Sequence, residues 1–263
     1  MNEKDILIEA AHAGGEILKK YFGQTLNLVE KSMIADFKTE ADIESEKAIL
    51  KILKAKLPNY NIHSEEEGKY DNNSDFTIVV DPLDGTNNFV LSIPNFSISI
   101  ALLQNNKPVA GVIYQPILDQ TFFAEKDKGA FINGKKIRVN GVIEPNNLTI
   151  AYNCGYKNEH YRIAQVLTAL ESFEHKRILF GWSPAYDYCL LASGKIESVI
   201  TDPGTEIYDY AAGKLIAMEA GAKLVGVDGN NETEYLDDSF VLSNNEKVSD
   251  YILNILVSLK DKK

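Results

Sequence analysis

The sequence predicts a mixed fold of helices and sheets, α+β or α/β, on three observations. Its 263 residues are 44% hydrophobic and 25% charged, an ordinary globular composition with enough chain for a full core. The apolar spacing is helical as far as Leu57 and becomes strand-like from Phe76. From Leu148 onward, short strands alternate with helices. The same composition excludes disorder, collagen-like repeats and coiled coil as the main architecture.

Taken in order, Ile6, Ala10, Ala13, Ile17, Leu18 and Tyr21 recur at helical spacing and predict a first helix over about residues 3–22. Gly14-Gly15 inside it reads as a close packing point rather than a nucleotide loop. A second helix is expected from about Glu40 to Leu57, with Ile49, Ile52, Leu53 and Leu57 on one face, stopping before Pro58. Phe76 to Val80 is a short buried strand that leads into a Pro-containing turn. Phe96–Leu103, Val109–Tyr114 and Thr121–Ala124 are expected strands of a mostly antiparallel sheet, with turns at Asn105-Asn106 and Leu118–Gln120. Glu144-Pro145-Asn146-Asn147 is the expected internal boundary of a single domain, 1–263, with halves of about 1–144 and 145–263. Beyond it come a strand near 148–152, a helix near 159–172, a strand near 177–180 and a helix near 185–193. A strand near 198–201 and a helix near 208–220, capped by Gly221, follow. Val248, Tyr251, Ile252, Ile255, Leu256 and Leu259 give a final amphipathic helix, read as core packing.

Charge narrows the function classes. Lys+Arg number 27 and Asp+Glu 38, for a net charge of −11 and a pI of about 4.9. An acidic surface repels phosphate backbones and anionic lipid, so neither nucleic acid nor membrane is an expected partner. An anionic substrate would need local neutralisation, and a metal ion is the simplest agent. Met1 to Asp5 carries charges of both signs and no apolar core, so no signal peptide is expected. No apolar run approaches the ~18 residues of a membrane span. Cys154 and Cys189 fit no metal-ligand spacing and are read as reduced core thiols, which agrees with a cytoplasmic location. The N-x-[ST] triplets at Asn72, Asn147 and Asn231 are then chance matches.

The chemistry concentrates in four segments. Asp81-Pro82-Leu83-Asp84-Gly85-Thr86 leaves the apolar strand. As a plain turn it is unremarkable, since Pro presets φ and Asp-Gly is a favoured turn pair. As a site, two carboxylates three residues apart on a rigid turn converge on one spot. They repel unless a cation sits between them, and Mg²⁺ takes such hard oxygen ligands. Gly85 and Thr86 then offer backbone N–H groups to a phosphate if a helix begins there. The second segment runs from Asp36 to Asp42, where Thr39-x-x-Asp42 fits a capping box. The third is Ser64-Glu65-Glu66-Glu67-Gly68, which alone reads as a solvated face. The fourth is Glu206 to Gly213, where Asp209 opens a helix and complements its dipole.

Together these segments resemble the inositol monophosphatase family of metal-dependent sugar-phosphate phosphatases. Its signature D-P-[IL]-D-G-T-x-N-F reads here Asp81 to Phe89, and its D-x-x-T-x-x-D segment reads Asp36 to Asp42. Its strand-end E-E is Glu65-Glu66, and its late [WY]-D-x-A-A-G is Tyr208 to Gly213. Gly129 to Gly134 extends the match through the middle of the chain.

The resemblance implies a layered α-β-α-β-α sandwich and a Mg²⁺-dependent phosphomonoesterase with two or three ions. It implies that Asp81 bridges two metals, that Glu65 and the Leu83 carbonyl hold the first, and that Asp84 and Asp209 join Asp81 on the second. Asp42 and Thr86 are expected to orient and deprotonate the attacking water, with Glu65 also counted as catalytic. Asp84, Gly85, Thr86, Ser183 and Asp202 are expected to face the substrate. Lys31 is a candidate for added positive charge, and Glu66 is the alternative register to Glu65. A small phosphorylated sugar or polyol is the implied substrate; a homodimer and lithium inhibition are further implications.

Two departures bear on which ester fits. Where the family has Gly-[ST]-Ala-Ala, this chain has Trp182-Ser183-Pro184-Ala185, which narrows the pocket or re-aims the loop. Where the family has Glu seven residues before the late Asp, this chain has the shorter Asp202. Fructose 1,6-bisphosphatase and 3′(2′),5′-bisphosphate nucleotidase activities are alternatives within the superfamily. Asn87-Asn88-Phe89, in place of the nucleotidase K-E-F, favours the inositol-type branch over the second of these. A serine hydrolase at Gly181 to Ala185 lacks the final Gly of a nucleophile elbow, and Pro184 removes an oxyanion-hole N–H. A non-catalytic regulatory scaffold has no evident reason to keep so many clustered acids.

Overall fold

The computed structural model describes residues 2–25, 28–30, 37–155, 160–229 and 237–257. The first helix, α1 (Glu3–Tyr21), and the second, α2 (Glu40–Lys56), lie side by side. Between them β1 (Leu28–Glu30) pairs antiparallel with β2 (Phe37–Thr39). The paired glycines act as their position suggests. A Cβ on Gly14 would come within 2.7 Å of Ser45 Oγ and 2.8 Å of the Ile49 side chain. One on Gly15 would come within 2.3 Å of the Tyr114 ring. Their missing side chains let α1 settle on α2 and on the sheet beneath.

That sheet is built from β3 (Asn61–Ser64), β4 (Gly68–Tyr70), β5 (Phe76–Asp84), β6 (Ser97–Gln104), β7 (Lys107–Gln115), β8 (Gln120–Glu125), β9 (Gly129–Ile132) and β10 (Lys135–Ile137). Between β5 and β6 runs α3 (Thr86–Val90). The strand order is β10-β9-β8-β7-β6-β5-β3-β4. β5 to β8 form the antiparallel run expected from the sequence, and β3 joins β5 in parallel. Asn105 and Asn106 take φ of 49° and 61°, the left-handed pair that a two-residue hairpin turn requires. The short strands toward the two ends of the sheet, β3, β4, β9 and β10, go unread in the sequence, because three or four residues are too few to display a period. The long apolar runs reflect burial on both faces. Ile78, Val80, Ile100, Leu102, Val112 and Tyr114 pack with α1 and α2. Their neighbours Val79, Ala101, Leu103 and Ile113 face the other way.

A short 3₁₀ turn at Pro145–Asn147, where the sequence places its boundary, leads to the second sheet. The remaining elements are β11 (Thr149–Asn153), α4 (His160–Glu171), β12 (Arg177–Leu179), α5 (Pro184–Ala192), β13 (Ser198–Thr201), α6 (Ile207–Glu219), β14 (Lys223–Gly226), β15 (Phe240–Ser243) and α7 (Glu246–Val257). Five strands run in the order β12-β11-β13-β15-β14. The first three are mutually parallel, and β15 is antiparallel to both neighbours. α5 and α6 lie between the two sheets. Ala185, Cys189, Ala211 and Leu215 pack toward the first sheet, while Tyr188, Leu191, Tyr210 and Ala217 pack toward the second. Helices covered on both sides need apolar residues all round, which explains why neither shows a polar face. α4 and α7 close the far side over Ile150, Ile200 and Val241.

The layers are therefore α1/α2, the first sheet, α5/α6, the second sheet and α4/α7, an α-β-α-β-α sandwich. Cys189 is buried within it, Cys154 is partly buried, and both are free thiols. Among the described residues no helix is long and apolar enough to cross a membrane.

The close approach at Gly15 makes a stability prediction. Gly15→Ala forces the Tyr114 ring to move and is expected to cost on the order of 1–3 kcal/mol in urea denaturation. Gly141→Ala, with nothing within 4 Å of the added carbon, is the matched control. It is expected within about 0.5 kcal/mol of the parent.

Candidate active site

The acidic motif does not form the simple turn that its sequence suggests. Asp81 to Asp84 stay within β5, and the register against β6 slips there: Asp81 faces Ser99 and Asp84 faces Ser97, so three steps on one strand oppose two on the other. This is a β-bulge, and it has a consequence for the side chains. In a regular strand, residues three apart point to opposite faces. The extra residue restores the phase and aims Asp81 and Asp84 the same way. Pro82, which has no N–H for the ladder, is tolerated because it lies within the bulge, and its carbonyl accepts from Ser45 Oγ of α2 at 2.9 Å.

Asp84 is held firmly. Its Oδ2 accepts from Ser97 Oγ at 3.2 Å and from Ser183 Oγ, and the Ala185 N–H also bonds its carboxylate. Asp81 Oδ1 accepts from its own neighbour Leu83 N at 2.9 Å. Gly85, with φ 92°, turns the chain sharply into α3. A side chain there would press within 3.0 Å of Asn95 O and 3.2 Å of Ser183 Cβ, so only glycine fits. Gly85 and Thr86 thereby sit where helical N–H groups have no acceptor within their own helix.

Asp209 arrives from the second half of the chain. It stands in the first turn of α6, where its Oδ2 accepts from Glu206 N at 2.8 Å. Its carboxylate meets those of Asp81 and Asp84, with one oxygen of each within 4.8 Å of the others. Glu65 lies just past β3, its N–H bonded to Val80 O at 3.1 Å. After burial, its charge is the largest influence raising Asp81 and Asp209, which puts it beside them. Glu66 turns elsewhere: its N–H donates to Glu46 Oε1 at 3.0 Å, and its carboxylate pairs with Lys38 at 3.3 Å.

Asp42 serves two purposes at once. Its Oδ2 closes the capping box of α2, accepting from Thr39 N at 2.8 Å and Thr39 Oγ1 at 2.6 Å. Its Oδ1 accepts from Thr86 Oγ1 at 3.2 Å, and that hydroxyl also lies 3.1 Å from the Leu83 carbonyl. Burial pushes the Asp42 carboxyl up to about 7, against the opposing pull of the Thr39 hydrogen bonds. Burial likewise raises Asp84 to about 7 and drives Asp81 and Asp209 well above the ordinary carboxylate range.

Other expected site residues lie as follows. Ser183 is fully buried, and its hydroxyl is given to Asp84. Asp202 is also fully buried, its carboxylate taken by Arg162 Nε at 2.9 Å, Arg162 Nη2 at 3.0 Å and Tyr152 Oη at 2.8 Å. Lys31 and Asp36 lie outside the described residues. Sequence reasoning missed the supports: Ser97 under Asp84, and Asn88 and Asn95, which donate to Gly181 O at 2.7 Å and 2.9 Å. It also missed Asp187 in the first turn of α5. Burial, and then the charge of Asp84, holds that carboxyl well above its ordinary range.

A cation fits this chemistry. The convergent donors are all carboxylate oxygens, the hard ligands that Mg²⁺ and its kin take. Without a positive charge they can be ionised together only at a cost, as their raised pKa values express.

Comparison with known proteins agrees with the geometry. Residues 2–260 match the inositol monophosphatase family. Inositol monophosphatase 2 of Solanum lycopersicum is 32% identical over 260 residues, covering 92% of this chain and 97% of that protein. Nus factor SuhB of Xylella fastidiosa is 30% identical over 264 residues, covering 97% and 94%. Among solved structures, extragenic suppressor protein suhB of Bartonella henselae superposes with a TM-score of 0.89 at 31% identity, covering 96% of this chain and 97% of that one. With the family signature lying on the convergent carboxylates, the chain belongs to the inositol monophosphatase family and is a phosphatase.

Proposed function

We propose that this phosphatase is a Mg²⁺-dependent phosphomonoesterase. It hydrolyses inositol monophosphate, or a related small sugar or polyol phosphate, with a metal-activated water. One observation carries the reading: Asp81, Asp84 and Asp209 present oxygens within 4.8 Å of one another beside the Gly85–Thr86 turn. On this reading two or three ions are held by Glu65, Asp81, the Leu83 carbonyl, Asp84 and Asp209. When bound, they supply the charge that neutralises the phosphate, acidifies a water and stabilises the leaving oxygen. The family resemblance adds a homodimer and lithium sensitivity, and the cysteine usage adds a cytoplasmic location.

The chain's own groups then have distinct tasks. The Gly85 and Thr86 N–H groups receive phosphate oxygens. The Thr86 hydroxyl, already bonded to Asp42, orients the attacking water. Asp42 accepts the water's proton, and its carboxyl near 7 suits a base working at neutral pH. Phosphoryl transfer passes through a loose transition state, so positioning by these fixed groups carries most of the catalysis.

Phosphate release from inositol 1-phosphate is expected to require Mg²⁺. Asp84→Asn is expected to lower it by on the order of 10²–10³-fold or more, with the circular dichroism of the folded protein unchanged. Wild-type turnover in excess chelator, or full activity in that variant, would refute the site.

Stability in the absence of metal depends on pH. Free of metal, Asp42 and Asp84 have pKa values raised from 3.8 to about 7. Between those values the folded protein binds more protons than the unfolded chain, so each group's contribution to stability is lost as pH rises from about 4 to about 7. In chelator, the wild type is expected to lose melting temperature relative to Asp84→Asn over that window. Mg²⁺ is expected to raise the wild-type melting temperature, more at the upper end than the lower. A melting curve indifferent to Mg²⁺ throughout would count against a metal in the cluster.

A further inference from the structure

We infer that Trp182 and Phe180 form an aromatic shelf on the leaving-group side of the site, selecting phosphate esters whose alcohol is a ring with an apolar face. The inference rests on the phosphatase reading and extends it to the class of substrate.

The starting observation is a large ring in a costly place. Trp182 is 49% exposed, and its φ of 56° lies in the left-handed region that bulky side chains disfavour. Core packing explains neither feature. The backbone on each side is fixed to the site. Gly181 O is held by Asn88 and Asn95, and Ser183 donates to Asp84. Ser183 Cβ also borders the Gly85 turn, 3.2 Å from where a Cβ would stand. Trp182 is thus presented one residue from contacts with both the acidic cluster and the phosphate-binding turn.

The shelf continues away from the cluster. Phe180, 39% exposed, meets Trp182 edge to face at 6.3 Å and stacks on Tyr152 at 5.9 Å. The Tyr152 hydroxyl reaches Asp202, whose two carboxylate oxygens are already bonded to Arg162. Asp202 is fully buried with both oxygens engaged, so it presents no accessible acceptor to a substrate hydroxyl. What this side offers a ligand is aromatic surface. Such surface recognises a ring by its face and gives little to an open-chain alcohol. The apolar face of a cyclic sugar and the face of a nucleobase share this chemistry.

The test compares ring and open-chain esters in the whole protein. Trp182→Gly suits the left-handed backbone and is expected to fold; Phe180→Ala is the second variant. For each, kcat/KM is measured on inositol 1-phosphate, fructose 1,6-bisphosphate, adenosine 2′-monophosphate and glycerol 2-phosphate. The ratio of ring to glycerol ester is expected to fall about tenfold, chiefly through KM. The ring ester that loses most identifies the source as sugar or base. An unchanged ratio in both variants, with activity retained, overturns the shelf and leaves the phosphatase reading standing. A change in oligomeric mass in place of the ratio makes the surface a subunit contact and also overturns it.

Trp182 is the only tryptophan in the sequence, so its emission reports on the shelf directly. In stopped flow, read before turnover, a ring phosphate is expected to change that emission and glycerol 2-phosphate is not. If no ester is hydrolysed the phosphatase reading fails, and the emission decides alone: silence toward every ring phosphate overturns the shelf.

Discussion

Like charges gathered in a buried place set the terms for the rest of this structure. Asp81, Asp84 and Asp209 bring oxygens within 4.8 Å of one another, where water cannot screen their repulsion. Left to rotate, such side chains would turn apart. Each is instead anchored through an oxygen: Asp81 to the Leu83 N–H, Asp84 to Ser97 and Ser183, Asp209 to the Glu206 N–H. The anchors come from the strand, from the neighbouring strand and helix, and from the cap of α6. The carboxylates are therefore held together in the folded state by backbone N–H groups and serine hydroxyls, an arrangement that a cation would relieve.

The same economy explains why local readings of these residues look ambiguous. Asp42 fits a capping box, and Asp209 fits the first turn of a helix. Either pattern is complete without any catalytic role. The structure shows that capping and site-building are not rivals. A capping carboxylate has a second oxygen, and its position at a helix start is fixed by the chain entering the helix. Asp42 uses one oxygen for Thr39 and the other for Thr86. A helix N-terminus is thus a way of fixing a carboxylate in space, and this site uses it twice.

Much of the fold was legible in the sequence, and the parts that were not have physical reasons. The helices α1 and α2 and the strands β6 to β8 show because their periods run long enough to register. The short strands β3, β4, β9 and β10 do not, since their pairing is dictated by neighbours rather than by their own pattern. The acidic motif was legible as chemistry and misread as geometry. A bulge depends on the partner strand, and nothing within Asp81 to Asp84 encodes where Ser97 and Ser99 will stand. Ser97, Asn88 and Asn95 were invisible as supports for the same reason: Asn88 acts on Gly181, 93 residues away. Asp202 was legible as an acid near the site, yet its ion pair with Arg162 follows only from how α4 packs beside β13.

The layering separates chemistry from selectivity. Asp81 and Asp84 close β5, Asp42 opens α2 and Asp209 opens α6, each at an element end packed on the first sheet, where a small displacement is resisted by the sheet and the helices on its two faces. Residues 180–183 and Asp202 lie instead in the connections that leave β12 and β13 for α5 and α6. The exposed side chains among them, Phe180 and Trp182, accept a change without disturbing the core, whereas Ser183 and Asp202 are buried and hydrogen-bonded. The two departures from the family pattern, at Trp182 and Asp202, fall in those connections, and none falls among the convergent acids. On the proposed reading, a chain altered only there keeps its phosphate chemistry and changes which alcohol it admits.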